Sequence, residues 1–401
     1  MLFLHKEAVG LKKNGGEKMP IKITDKTKCT GCAACVNICP KDCIELKEDS
    51  SGFSYPFVDT EKCIECDLCI KKCPVLFFDK NKKNEAKPQI YAAQTRNSEL
   101  RFESTSGGIF TELAKQILEQ GGKVCGAAYN DRNLVEHILV SDKSGLNKIR
   151  QSKYIQSEIN TIYRQIKEEL KSDKPVAFCG APCQVAGLYN YLGKRPENLF
   201  TFDFICRGMN SPKAYEYWLK EIEEKTGSKV TRVWFKYKEN GWKKSPKCTR
   251  VDFKNGKYEV FDGKKNTFMC GYLGPNLYIR PACGDCQFKG FPRIGDITLA
   301  DFWGLNSQLE DDRGTSLVMI NNQKGQKLFD EINSNLLFES HDVEEIIAGN
   351  LCAKDSVVIN PKSSEFLSRL GTKDFSLLVK EYTHVGIMTK ILRKAKSILK
   401  K

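Results

Sequence analysis

At 401 residues and a formal charge of +14, the chain is too long for one small module and long enough for two or three domains. Its basic excess, 64 basic against 50 acidic side chains, is spread along the chain without a nucleic-acid motif, so it reads as a solvated surface rather than a nucleic-acid footprint. Eighteen cysteines would mean disulfides in a secreted protein, but the opening MLFLHKEAVGLKK has too short an apolar run for a signal peptide or a membrane span.

Residues 1–19 read as an extension, with Met19 a more conventional start. The next stretch, 20–80, carries two copies of one spacing. Cys29, Cys32, Cys35 and Cys39 are followed by Pro40, and Cys63, Cys66, Cys69 and Cys73 by Pro74. The run C-x2-C-x2-C-x3-C-P, doubled, is the signature of a bacterial two-cluster ferredoxin module. Two-residue gaps let a tight loop wrap three corners of an iron–sulfur cube with thiolates. The fourth cysteine, one turn into a helix, points away to the other cube. One [4Fe-4S] cluster is therefore expected on Cys29, Cys32, Cys35 and Cys73, and a second on Cys63, Cys66, Cys69 and Cys39. Zinc also takes paired Cys-x-x-Cys sequences, though rarely four cysteines at 2-2-3 spacing with a trailing proline, and rarely twice. Cluster ligands are reduced thiolates, which places the protein in the cytoplasm.

Residues 81–90 form a polar linker. A second domain follows over 91–340, where strands alternate with helices, as in an α/β domain. In chain order the pattern predicts a helix over 107–120 capped by Ser104, Thr105 or Ser106, and strands over 123–129 and 137–142. A helix follows over 158–171, then a buried strand over 175–180. Next come a helix over 182–192 with Pro182 in its first turn, a strand over 199–206 and a helix over 212–225. Residues 229–261 form a β-rich insertion with an Asn255-Gly256 hairpin turn, followed by strands within 296–304 and 315–321 and then helices. The expected fold class is α+β: a dicluster ferredoxin module, then an α/β flavin-binding domain with a β-rich insertion.

A second group of cysteines is less regular. Cys179 and Cys183 lie at a strand end turning into a helix, Cys206 ends another strand, and Cys283 and Cys286 form a Cys-x-x-Cys pair. Functional groups in α/β sheets collect at the C-terminal ends of strands, where Cys179, Cys183 and Cys206 fall. One reading is a third cluster, with Cys283 and Cys286 giving two ligands and Cys183 and Cys206 the others. The plain alternative is that buried cysteines are small hydrophobes. Cys43, Cys125, Cys248, Cys270 and Cys352 have no metal-site context. Two turns, Ser104 to Gly108 and Gly180-Ala181-Pro182, open helices whose free N–H groups suit an anion. Neither matches a Rossmann or P-loop motif. None of the four histidines sits in a motif, so no acid–base triad is expected and no catalytic residue is assigned.

Together, T-S-G-G at 105–108, G-A-P-C-Q-x-x-G-L at 180–188, D-x-x-C-R-G at 203–208, the Cys283/Cys286 pair and D-I-T-L-A-D-F-W-G at 296–304 resemble one family, over residues 25–335. The chain is similar to the beta subunits of the coenzyme F420-dependent hydrogenases and dehydrogenases, with a ferredoxin module in front. Relatives of that family include a plant chlorophyll-cycle reductase and many bacterial proteins. The resemblance implies FAD in the α/β domain, at least one further [4Fe-4S] cluster beside it, and hydride exchange with a reduced deazaflavin or an organic substrate. It implies that Thr105, Ser106, Gly107 and Gly108 line the flavin or its phosphates. Asp296, Asp301 and the Phe302-Trp303 pair would lie near the cofactor, and Cys183, Cys206, Cys283 and Cys286 would hold the cluster. Arg207 and Ala300 stand where relatives often have His and Gly.

Residues 341–401 read as a helical region ending in GIMTKILRKAKSILKK. Its apolar positions share one face and its charges are all basic, as in a helix that lies on an anionic membrane or docks a partner, although such helices more commonly pack on their own domain. The expected function is an iron–sulfur flavoprotein oxidoreductase that exchanges electrons with a redox partner protein or a hydride-carrying coenzyme. The alternatives are a relay subunit with clusters and no flavin, and a zinc-stabilised binding protein without colour.

Overall fold

A computed structural model of the chain describes residues 21–22, 25–78, 84 and 87–384. The extension 1–19, most of the linker and the basic amphipathic helix expected within 386–401 lie outside the described residues. No described helix is long and apolar enough to cross a membrane.

The cysteine-rich module holds two short helices, α1 (Ala34–Ile38) and α2 (Leu68–Lys71), and one antiparallel hairpin, β1 (Ile44–Glu48) with β2 (Ser54–Val58). Its two halves repeat in backbone as well as in sequence. Gly31 and Glu65 are left-handed (φ 71° and 53°), as are Ala33 and Asp67 (φ 56° and 59°). Left-handed φ at three non-glycine residues costs free energy in each loop and is kept where a loop must wrap a group tightly.

The second domain is built on an eight-stranded mixed sheet. Four strands form its parallel centre: β4 (Lys123–Tyr129), β6 (Val176–Cys179), β7 (Leu199–Phe204) and β11 (Ile297–Asp301), in the spatial order β11-β7-β6-β4. Antiparallel strands complete both edges. β5 (Val135–Val140) flanks β4, and β12 (Ser316–Ile320), β3 (Gln89–Thr95) and β13 (Leu336–His341) extend the other side. Helices α3 (Ser98–Glu103), α4 (Ile109–Glu119), α5 (Lys143–Ile149), α6 (Ile162–Glu169) and α7 (Pro182–Leu192) connect these strands.

The β-rich insertion is a separate three-stranded sheet, β8 (Val230–Phe235), β9 (Thr249–Phe253) and β10 (Tyr258–Phe261). Its hairpin turns at Asn255 and Gly256, where Gly256 takes φ 79°. The insertion shares one apolar core with helix α8 (Pro212–Thr226) and the C-terminal helices. Trp218, Phe235, Phe268, Tyr278, Phe366 and Phe375 meet there.

The cysteine-rich module is bound into the second domain. Arg164 of α6 donates to the carbonyls of Val36, Asn37 and Cys39 (3.0, 2.8 and 3.0 Å), which caps the C-terminus of α1. Gln287 donates to Pro74 O (2.8 Å) and Lys213 to Ser50 O (2.8 Å). Gly187 of α7 faces Cys32 so closely that a Cβ there would lie 3.2 Å from the Cys32 sulfur.

Candidate redox site

The eight N-terminal cysteines gather in two sets. One cavity is walled by Cys29, Cys32, Cys35 and Cys73, and a second by Cys39, Cys63, Cys66 and Cys69. Each set takes three cysteines from one half and the fourth from the other, because Cys39 and Cys73 follow their helices and turn away. Burial pushes the Cys32 thiol up to about 11 and the Cys73 thiol to about 12, and the neighbouring thiols add to the shift of Cys73. Such thiols surrender their protons readily only to a metal. Backbone amides already point at the sulfurs: Ala34 at Cys32, Ile70 at Cys69, and Glu65 at Cys63 (3.4 Å). That donor set, four thiols around a cavity with N–H groups aimed at sulfur, fits an iron–sulfur cubane. Among the described residues, no three His, Cys, Asp or Glu side chains form a site for a single metal ion.

Cys43 was given no metal context by its sequence, yet its sulfur lies 3.3 Å from that of Cys39 and it lines the second cavity. The only sequence signal is its place three residues after Pro40, which carries no motif.

Cys183, Cys206, Cys283 and Cys286 form a third set. Cys183 sits in the first turn of α7, Cys206 follows β7, Cys283 lies within the 3-10 turn at 281–285 and Cys286 directly follows it. Burial pushes the Cys206 thiol up to about 12, reinforced by Cys283 and Cys286, and the Cys283 thiol up to about 11, reinforced by Cys286. The thiol of Cys183 is raised by burial first, then by Cys286, Cys206 and Cys283, and after these by Cys32 of the first set. Met209 N donates to the Cys283 sulfur (3.4 Å). Lys289 holds the backbone on both sides, donating to Cys206 O (2.6 Å) and Cys352 O (3.1 Å).

Beside this set opens a cavity of about 580 Å³, within the size range of ligand sites. It lies at the C-terminal ends of the parallel strands, lined by Ala127 of β4, Cys179 after Phe178 of β6, Phe204 and Cys206 at β7, and Ala300 and Asp301 of β11. Thr105, Ser106 and Gly108 line it too, together with Ile109 and Phe110 in the first turn of α4. No side chain caps α4, so its N-terminus faces the cavity with free donors and can hold a phosphate. The turn at Gly180 borders the cavity as well, with Gln184 Oε1 accepting from Ala181 N (2.9 Å) at the start of α7.

The T-S-G-G turn is fixed from behind. Ser106 Oγ donates to Thr315 O (2.7 Å), Ser152 N donates to Thr105 Oγ1 (2.7 Å), and the buried Lys238 donates to Ser106 O (3.0 Å). Gly107 does not line the cavity. A Cβ there would stand 2.3 Å from Ala93 O and 2.8 Å from Ser316 N, both backbone, so Gly107 is what lets the turn pack on β3 and β12. Gly107→Ala should therefore lower stability by about 1–3 kcal/mol through overpacking, read as a fall in the urea midpoint. An unchanged midpoint would mean that the two strands give way.

The two aspartates of D-I-T-L-A-D-F-W-G part company. Asp301 and Trp303 line the cavity. Asp296 does not: it is 1% exposed at the opposite end of β11, where its carboxylate accepts from Thr201 N (2.8 Å), Thr201 Oγ1 (2.9 Å) and Asn322 Nδ2 (2.7 Å). That carboxylate fastens β7 to the start of α9 (Gln323–Ile332).

Three cationic side chains line the cavity besides these. Lys236 forms an ion pair with Asp301 and lies 5.1 Å over the Trp303 ring, which stacks on Trp242 at 4.2 Å. Its backbone is left-handed (φ 55°), a costly conformation for lysine. Burial pushes its ammonium down to about 7. Lys153, also pushed down to about 7 by burial, donates to Arg150 O (2.6 Å), and Arg207 donates to Asn276 Oδ1 (2.9 Å). Of these three only Arg207 stood in a sequence motif, and nothing marked Lys153 or Lys236. Arg207 and Ala300, the two departures from the family pattern, both line the cavity.

Three family models match the sequence in order. A 4Fe-4S dicluster domain matches residues 28–76. The N-terminal part of the coenzyme F420 hydrogenase/dehydrogenase beta subunit matches residues 90–163, and the C-terminal part of the same beta subunit matches residues 173–346. No curated protein matches the sequence. Among solved structures, one chain of the F420-reducing [NiFe] hydrogenase complex from Methanosarcina barkeri, in a xenon derivative, is similar at 17% identity. The match covers 77% of this chain and 92% of that one, with a TM-score of 0.44.

Proposed function

The chain belongs to the coenzyme F420 hydrogenase/dehydrogenase beta-subunit family and carries a 4Fe-4S dicluster domain in front, which makes it an iron–sulfur oxidoreductase of electron transfer; on that premise we propose that it couples hydride chemistry at a bound FAD to single-electron transfer through three [4Fe-4S] clusters. The observation that carries this is the double position of Cys206, which lines the large cavity and also belongs to the third cysteine set. From there the sets adjoin in series. Cys183 neighbours Cys32, and Cys35 of the first set neighbours Cys69 of the second.

Cys183, Cys206, Cys283 and Cys286 would hold the third cluster, and the eight N-terminal cysteines the other two. A flavin, when bound, accepts two electrons as hydride and releases them singly, which matches one-electron cubanes. The chain's own part is to bind and tune. The open N-terminus of α4 would take the flavin's phosphates. Lys236, held by Asp301, sets a cation in the cavity wall, and the Trp242–Trp303 stack stiffens that wall. A pure relay subunit has no use for a 580 Å³ cavity that reaches the third cysteine set. A partner protein would take or give electrons at the N-terminal module, as expected of a subunit family drawn from multi-protein hydrogenases.

The test is anaerobic reduction by a reduced deazaflavin, followed optically and by EPR. Holoprotein should bleach its flavin band and develop cluster signals, and protein stripped of flavin should leave its clusters oxidised. Equal cluster reduction without flavin would overturn the proposal.

A further inference from the structure

Among the described residues three arginines are buried almost completely: Arg101 at 4% exposure, Arg293 at 2% and Arg280 at 0%. Arg101 meets the Asp311 carboxylate (2.6 and 2.8 Å) and Arg293 meets Asp203 (3.3 Å). Arg280 meets only neutral groups. Its Nε donates to Cys29 O (2.7 Å), one terminal nitrogen to Gln156 Oε1 (2.8 Å) and the other to Ser54 O (3.0 Å). The guanidinium lies 4.4 Å over the Tyr55 ring, and no carboxylate among the described residues pairs with it. A buried charge without a counter-ion costs several kcal/mol, so a chain that keeps one has a compensating anion nearby.

The position of Arg280 identifies that anion. Its side chain packs on the loop between the first two cysteines of the module: a Cβ on Gly31 would stand 3.0 Å from its terminal nitrogen. Its own carbonyl accepts from Cys283 N (2.9 Å), so its backbone begins the turn that carries Cys283 and Cys286. A cubane on four thiolates is an anion and becomes more negative on reduction. Arg280 thus stands with one such site at its side chain and another at its backbone.

We propose that Arg280 is the counter-charge at the junction of the two iron–sulfur regions, tying the Cys29 loop to the Cys283 turn and raising the reduction potential of the clusters on either side. This rests on the cluster sites proposed above. Its charge acts on Cys32 on one side and Cys283 on the other, which puts the guanidinium within electrostatic reach of both sets. The second set, Cys39, Cys63, Cys66 and Cys69, has no contact with Arg280 and serves as an internal control. Arg280 would be a positioning residue, fixing the energy at which electrons cross from one domain to the other.

The test is an EPR-monitored redox titration of the full-length holoprotein, wild type against Arg280→Gln and Arg280→Lys, with iron measured in each. In Arg280→Gln, two of the three cluster couples should fall so that the reduced-to-oxidised ratio at a fixed poise drops about tenfold, which is about 59 mV for one electron. The third couple should not move, and Arg280→Lys should stay within about threefold of wild type. Full iron with all couples unmoved in Arg280→Gln would overturn the proposal, leaving only a hydrogen-bonding tie. Should Arg280→Gln lose iron, Arg280→Lys decides: full iron and wild-type couples support the charge, and lost iron or shifted couples overturn it. A wild-type protein without iron would instead refute the cluster sites themselves, and this inference with them.

Discussion

Cys283→Ala is expected to lower bound iron by about a third, about four atoms, while the N-terminal module keeps its full complement. The thiol of Cys283 is buried with those of Cys183, Cys206 and Cys286, and it accepts an N–H from Met209. Removing one of four thiolates leaves a cubane with an open corner, and the adjoining cavity of about 580 Å³ admits water to it. Flavin should remain bound, since its proposed phosphate site at the start of α4 belongs to a separate element. In the deazaflavin experiment this variant should bleach its flavin and fail to pass electrons to the N-terminal clusters. A variant with wild-type iron would return Cys283 to an ordinary buried thiol, and the third cluster would fall with it.

Lys236→Met is expected to destabilise the protein by about 3 kcal/mol, the low end of the range for breaking a buried ion pair. The lysine side chain is 7% exposed and its partner carboxylate 14%, so removing the ammonium strands Asp301 in the cavity wall. Methionine keeps the same Cβ, so the left-handed backbone at 236 is equally strained before and after, and the lost charge is what is measured. Urea unfolding followed by tryptophan fluorescence reads the loss, because Trp303 and Trp242 lie against this pair. The double change Lys236→Met/Asp301→Leu should recover most of it, as replacing a whole buried pair is often neutral. A loss below about 1 kcal/mol in the single variant would mean that solvent already screens Asp301, as at a surface pair.

Where the sequence was legible, the signal was periodic or spaced. The doubled cysteine run gave the crossed grouping that the two N-terminal cavities display, and the helix expected over 182–192 is present over those residues. The alternation of strands and helices pointed to an α/β domain, and the sheet is parallel at its centre and antiparallel at both edges. Residues 302–315, between β11 and β12, contain no helix to carry the chain back across the sheet, so β12 returns antiparallel.

Direction along a strand separates Asp296 from Asp301. Five residues of extended chain put them about 16 Å apart, one at each end of β11, and only the C-terminal end borders the cavity. The motif contained both and could not rank them without strand polarity. Arg280 and Lys236 were invisible for a different reason. Neither has a spacing partner, and each matters through what lies across the fold: the Cys29 loop for one, Asp301 for the other. Cys43 is similar, since its 3.3 Å approach to Cys39 arises from the turn after Pro40.

The central claim is that three cysteine sets and one cavity make a flavin-to-cluster line. Iron, zinc and flavin content, with a visible spectrum, on full-length protein purified without oxygen tests it most directly. About twelve irons and one FAD per chain are expected, with the broad absorption of cubanes beneath the flavin bands. About eight irons without flavin would contradict the account and leave a relay subunit, and zinc without colour would remove the iron–sulfur assignment altogether.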